Sequence, residues 1–153
     1  MATAWRICQA RWAMTAFSGA GAAEFAGRWN SPGRKMVYCA STRALAAMEI
    51  LANVEEKAIL RKASFVAIEV NIPEDLIFLP RTLPGDWRRT PVAPGSRKFG
   101  DKFLDSGRYP AMRVPSAVIL GEFNFVLNPL QSGFADLKIG RAEIFQFDPR
   151  VLD

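Results

Sequence analysis

Gly27-Arg28-Trp29-Asn30-Ser31-Pro32-Gly33, followed by Met36-Val37-Tyr38-Cys39-Ala40 and then by Ser41 to Val54, is the stretch that decides the fold. Asn30, Ser31, Pro32 and Gly33 are consecutive turn formers, so the first segment reads as a tight loop. Met36 to Ala40 is a short apolar run bounded by turn signals, the pattern of a buried strand. Ser41 or Thr42 is placed to cap a helix by accepting a hydrogen bond from a free backbone N–H. From Ala44 to Val54 only Glu49 and Asn53 are polar, and apolar residues on every face predict a buried helix. A carboxylate in the middle of that helix is costly unless it is paired or used. The structural reading is a Glu that meets a core Arg or reaches the rim. The functional reading rests on its neighbours: Arg28 on the loop, Tyr38 on the strand and a hydroxyl at the helix start can hold an anionic ligand beside it.

Outward from this stretch, Ala4 to Ala10 predicts a first strand that carries Arg6, a charge in need of an anionic partner if buried. Residues 13–27 are small and rich in Gly and Ala, a loop or a short helix. Ser64 to Asn71 alternates as a strand with one strongly apolar face, and Leu76 to Leu79 as a short edge strand before Pro80. Four prolines between residues 80 and 95 predict a long surface loop. Ser96 then caps a helix to about Ser106, with Phe99, Phe103 and Leu104 inward and Gly107 as its stop. In the apolar run Met112 to Leu120, Pro115 is an improbable interior strand position and places a break before Ser116. Phe123 to Leu127 and Ala142 to Phe147 complete the strands, with Asn128-Pro129 as a turn. The pattern is α+β: one domain over residues 1–153 with short strands, one long buried helix and a few short helices.

A chain of 153 residues buries roughly 70% of its unfolded surface as a single domain. No run approaches the ~20 apolar residues of a membrane span. Arg6 and Arg11 interrupt any signal-peptide pattern, so the expectation is a cytoplasmic protein. Cys8 and Cys39 each fall in an expected strand, which suits buried thiols better than a disulfide or a zinc site. The chain has no His. That excludes Ser-His-Asp and Cys-His catalysis and any His-bound metal, and leaves acid–base work to Glu, Asp, Tyr or Lys. No P-loop or dinucleotide fingerprint is present. The net charge is +5, and residues 81–113 carry all of it, with eight basic residues against three acids. Such a surface steers an anionic partner or is simply a solvated face.

Six short motifs taken in order resemble the RES-domain family. They are Trp5-Arg6, Gly27-Arg28-Trp29-Asn30-Ser31-Pro32-Gly33, Val37-Tyr38-Cys39-Ala40-Ser41, Leu45-Ala46-Ala47-Met48-Glu49, Val114-Pro115-Ser116-Ala117-Val118 and Asn124-Phe125-Val126-Leu127-Asn128-Pro129. The resemblance runs from Trp5 to about Phe147. It implies the toxin of a two-gene toxin–antitoxin pair with an Xre-type antitoxin, a homodimer within that assembly, and an ADP-ribosyltransferase-like core of mixed and antiparallel strands. It also implies consumption of NAD+ as substrate, without a metal, by water, by phosphate or by transfer of ADP-ribose to a protein. Carried over by position, Arg6 matches the family's first Arg, Arg28 the loop Arg, Tyr38 the strand Tyr, Glu49 the helix Glu and Ser116 the Ser after Val-Pro. Ala26 replaces the usual second Gly of the loop motif. Phe125 follows Asn124, so no Tyr hydroxyl is available there.

The chemistry suits these residue types. Nicotinamide leaves neutral and needs no general acid, while positive charge develops on the ribose as in glycoside cleavage. A fixed carboxylate, here Glu49, stabilises that charge and can hold a ribose hydroxyl. Arg6 and Arg28 supply the cationic fork for the pyrophosphate. Tyr38 can stack on nicotinamide, and Ser116 can bond the ribose or the Arg network. Structural readings stand beside each: core packing for Tyr38, a turn cap for Ser116, an ion pair with Glu49 for Arg6. Two other functions compete. An RNA-cleaving toxin fits the basic window but lacks aromatic platforms, since Trp87 and Tyr109 are far apart in sequence. A non-catalytic binding partner would use Glu49 and the arginines as a core ion-pair network only. Direct nucleic-acid binding is not expected of the leading candidate.

Overall fold

The computed structural model describes residues 1–153. Seven strands, β1 (Ala2–Gln9), β2 (Val37–Ala40), β3 (Phe65–Ile72), β4 (Ile77–Phe78), β5 (Ala111–Pro115), β6 (Phe123–Leu127) and β7 (Lys138–Phe145), form one sheet in the order β4-β5-β6-β2-β1-β3-β7. Neighbours are antiparallel except β4 against β5. The helices are α1 (Ala20–Glu24), α2 (Arg43–Asn53), α3 (Ala58–Lys62) and α4 (Pro94–Ser106). No helix is long and apolar enough to cross a membrane.

Register shows how the two faces are filled. β1 and β3 pair along their whole length, from Ala2 opposite Ile72 to Gln9 opposite Phe65. Opposed residues share a face. One face therefore carries Ile7, Phe65, Ala67 and, through Trp5 opposite Ala40, the core shared with Leu45 and Ala46 of α2. The other carries Ala4, Val37, Cys39, Val70 and Ile72. β3 is thus buried on both sides, not on the single apolar face its alternation suggests, because segments pack on both sides of the sheet. Between β1 and β2 the ladder is limited to Trp5 opposite Ala40, whereas β2 pairs with β6 at four positions. This short ladder is a gap in the middle of the sheet.

Several expectations need correction. α2 is not buried all round: Leu45 and Ala46 are buried, but Ala44, Met48 and Ala52 are exposed. Ala and Met favour helix on an open face, so an apolar run here marks propensity as well as burial. α4, with 13 residues, is longer than α2 with 11. Thr42 is the cap of α2, its hydroxyl accepting from Leu45 N–H at 3.0 Å. Ser96 caps nothing; α4 begins at Pro94, and the Ser96 hydroxyl donates back to the Ala93 carbonyl. Pro115 is the last residue of β5, and residues 116–120 leave the sheet. β7 starts at Lys138, four residues before the apolar signal; it is an exposed edge strand, formed because β3 offers it a free edge.

α4 sits where it does because of Gly100. A Cβ there would lie 1.5 Å from the Trp29 carbonyl oxygen. Gly100→Ala is expected to lower stability by about 2 kcal/mol or more, read from the urea midpoint; an unchanged midpoint would contradict this close approach.

Candidate active site

The Gly27–Gly33 loop is held from inside by Asn30, which is wholly buried. Its Oδ1 accepts from Gly27 N–H at 2.8 Å and from the Tyr38 hydroxyl at 2.6 Å. Its Nδ2 donates to the carbonyls of Ala22, Arg34 and Ser31. The Tyr38 hydroxyl in turn accepts from Trp29 N–H at 3.0 Å. Gly27 lies so close that a Cβ would meet the Tyr38 ring and hydroxyl at 2.7 Å. Burial raises the Tyr38 pKa well above the ordinary phenol value, against the lowering effect of the Trp29 N–H. Tyr38 is therefore a neutral brace between β2 and the loop, and its ring is part of the cleft wall.

From outside, one face of α4 grips the same loop, at the i, i+4, i+8 spacing that aligns side chains on a helix. Arg97 donates to the carbonyls of Gly27 and Ala26 at 3.0 and 3.3 Å. Asp101 accepts from Ser31 N–H and from its hydroxyl, and Asp105 pairs with Arg34. Arg97 thus has a structural task within the basic window. Arg113 lies over the Phe123 ring at 4.3 Å, and Arg81, Arg88, Arg89, Lys98, Lys102 and Arg108 are exposed.

Arg28 is presented by this loop. Its Nη1 donates to the carbonyls of Trp87 and Arg89, both at 2.8 Å, and Trp87 stacks on Trp29 at 6.4 Å. The proline-rich segment is the expected surface loop, and these two bonds tie it to the site. The remaining Arg28 N–H groups make no bond within the chain. Burial lowers the Arg28 pKa from its ordinary value, and the charge of Glu49 pushes it back up.

Glu49 projects from α2 into a clamp. Its Oε2 accepts from the Ser116 hydroxyl at 2.6 Å and from Asn124 Nδ2 at 2.8 Å. Ser116 is wholly buried, and its oxygen also accepts from the N–H groups of Val118 and Ile119. All three bonding sites of the hydroxyl are used. Ser116 thus caps the turn after β5 and orients Glu49 at once, and it reaches a ligand only through Glu49. Arg6 makes no ion pair with Glu49. It bridges the gap between β1 and β2, donating from Nη1 to the Tyr38 carbonyl at 3.1 Å, while its buried Nε has no partner.

These elements enclose a cleft of about 750 Å³ whose walls include Arg6, Arg28, Tyr38, Glu49 and Asn124. Of the residues singled out from sequence, Arg6, Arg28, Tyr38 and Glu49 line one cleft, with Ser116 directly behind Glu49. Sequence reasoning missed Asn124 as a partner of Glu49, and Asn30 and Arg97 as supports of the loop. The available signals were that Asn124 opens the sixth motif as the one polar residue of an otherwise apolar β6, and that Asn30 sits amid the turn formers of the loop motif. Cys39 also faces the cleft; burial pushes its thiol up to about 12, so it is not a thiolate nucleophile at neutral pH. Neither cysteine is in a disulfide, and no group of three or more Cys, Asp or Glu converges on a metal position.

The site is thus a carboxylate and two arginines in a cleft at the gap of a single-sheet α+β domain. A chain of the M. tuberculosis MbcT–MbcA toxin–antitoxin complex shares the fold, with a TM-score of 0.75 at 19% identity over 98% of this chain and 86% of that one. The RES domain model matches residues 3–148, and the chain belongs to the RES-domain family. Among its relatives, Toxin Res of Yersinia enterocolitica is 30% identical over 96% of this chain and 97% of that protein. The Prs ADP-ribosylating toxin of a Sphingobium species is 32% identical over 88% and 86%.

Tyr38 makes stability depend on pH at the alkaline end. Its folded-state pKa is raised, so its contribution is intact below the unfolded phenol value of about 10 and is lost as pH rises beyond it. Tyr38→Phe is expected to cost about 1 kcal/mol at pH 8 and to lose less further stability than wild type by pH 11. Equal losses in urea titrations at the two pH values would contradict the assignment.

Proposed function

We propose that this chain is the toxin of a toxin–antitoxin pair and that it cleaves NAD+ at the nicotinamide–ribose bond, passing ADP-ribose to a protein, water or phosphate. The observation that carries the reading is the aimed carboxylate: Glu49, fixed by two donors on one oxygen, faces a cleft that also holds Arg28 and Arg6. Membership of the RES-domain family and a relative named as an ADP-ribosylating toxin support it.

In this reading Arg28 and Arg6 bind the pyrophosphate. Arg28 lines the cleft and has N–H groups without a partner in the chain, and Arg6 has a buried donor without a partner. The ring of Tyr38 packs beside the nicotinamide end. Glu49 stabilises positive charge on the ribose as neutral nicotinamide departs, and Ser116 keeps its carboxylate in register. The partner is an Xre-type antitoxin, which binds at the cleft mouth or along the basic segment 81–113. The toxin acts in the cytoplasm, as a homodimer within the complex.

The test is free nicotinamide released from NAD+ by purified protein, with and without phosphate or cell extract. Wild type should release it, and the dependence on phosphate or extract names the acceptor. Glu49→Gln should remain folded and lose at least about 100-fold in rate, the scale of removing a key electrostatic stabiliser. Release that is unchanged in a folded Glu49→Gln variant would overturn the reading.

A further inference from the structure

Asn124 stands out among the polar groups that the proposed chemistry leaves without a role. It lies on β6 opposite Ala40, on the α2 side of the sheet, and lines the cleft beside Glu49. Its two polar atoms behave differently. Nδ2 donates to Glu49 Oε2 at 2.8 Å, while Oδ1 is buried and has no hydrogen-bond partner. The orientation of the amide is settled by chemistry: the carboxylate accepts only, so the nitrogen must face it. A buried acceptor without a donor is costly. Its neighbour Glu49 already accepts from Nδ2, and Glu49 Oε1 makes no bond within the chain. Two acceptors on side chains bonded to each other are thus left without a partner in the chain, and the Asn124 oxygen is shielded from solvent at the cleft wall.

We propose that Asn124 is a specificity-determining residue: its Nδ2 positions Glu49, and its Oδ1 accepts a hydroxyl from a ligand that presents two neighbouring hydroxyl donors, one to Asn124 and one to Glu49. This rests on the NAD+ reading, in which the ligand class is a ribose with both its 2′- and 3′-hydroxyls. Ser116 makes a useful control. It donates to the same Glu49 oxygen, but it is wholly buried and has no free acceptor. Loss of Ser116 loosens Glu49 without removing the second acceptor, and loss of Asn124 does both.

The experiment measures binding of NAD+ and of its nicotinamide-ribose 2′-deoxy and 3′-deoxy analogues to wild type, Asn124→Ala and Ser116→Ala, by calorimetry. Wild type should prefer NAD+ over each analogue by roughly ten-fold, the equivalent of one good hydrogen bond. In Asn124→Ala the preference for one of the two hydroxyls should disappear, and in Ser116→Ala both preferences should persist. A folded Asn124→Ala that keeps both preferences would overturn the assignment of Asn124 while leaving NAD+ as the substrate. Failure of wild type to bind any of the three would overturn the NAD+ reading, and this inference with it.

Discussion

The carboxamide of Asn30 is the hinge on which the site depends. Buried and bonded at both ends, it joins the start of the Arg28 loop to its end, to the segment at Ala22 and to Tyr38 on β2. A carboxamide can do this because it offers a two-lone-pair acceptor and two donors in one plane. An aliphatic side chain of similar size would leave Gly27 N–H and the Tyr38 hydroxyl without this acceptor inside the protein, where such losses are most costly. Around that bond the rest is arranged in layers: Tyr38 braces the loop from the sheet, and Arg97, Gly100 and Asp101 close it from α4. Arg28 then extends from a frame that is rigid on both sides.

The opposite wall follows a different logic. Glu49 stands on a regular helix, and its aim comes from two side chains distant in sequence, Ser116 and Asn124. Fixing a carboxylate before the ligand arrives is what electrostatic preorganisation requires, because no reorientation is then needed as charge develops. The cationic side is less saturated. Arg28, which lines the cleft, uses one nitrogen to hold the Trp87–Arg89 segment and leaves the others without a partner in the chain. Arg6 uses one nitrogen to span the gap where β1 and β2 cease to pair. The gap in the sheet thus lets one cleft draw on residues from both faces.

Much of this was legible in the sequence, and the exceptions have physical causes. Glu49 was visible because a lone acid in an apolar helical run needs a reason. The Arg28 loop was visible because turn formers are punctuation. The open face of α2 was hidden, since Ala and Met read as core residues although they serve equally as good helix formers at a partly exposed surface. Only the apolar end of β7 from Ala142 was visible; its first half, with Lys138, Gly140 and Arg141, carries no period-two signal, and its pairing is decided by β3. The Glu49–Asn124 bond joins residues 75 positions apart, and no local pattern announces a contact fixed by strand register. The segment 80–95 read as a surface loop from its prolines, and it is one; the tie of its Trp87 and Arg89 carbonyls to Arg28 left no mark in the sequence.

In the proposed reading the fixed carboxylate of Glu49 serves NAD+ cleavage. The most direct measurement is the cellular NAD+ pool after induction of the wild-type chain or of Glu49→Gln at matched protein levels, sampled before growth stops. The pool should fall with wild type and hold with Glu49→Gln. Arrest of growth with an unchanged pool, or an equal fall with both proteins, would contradict that reading.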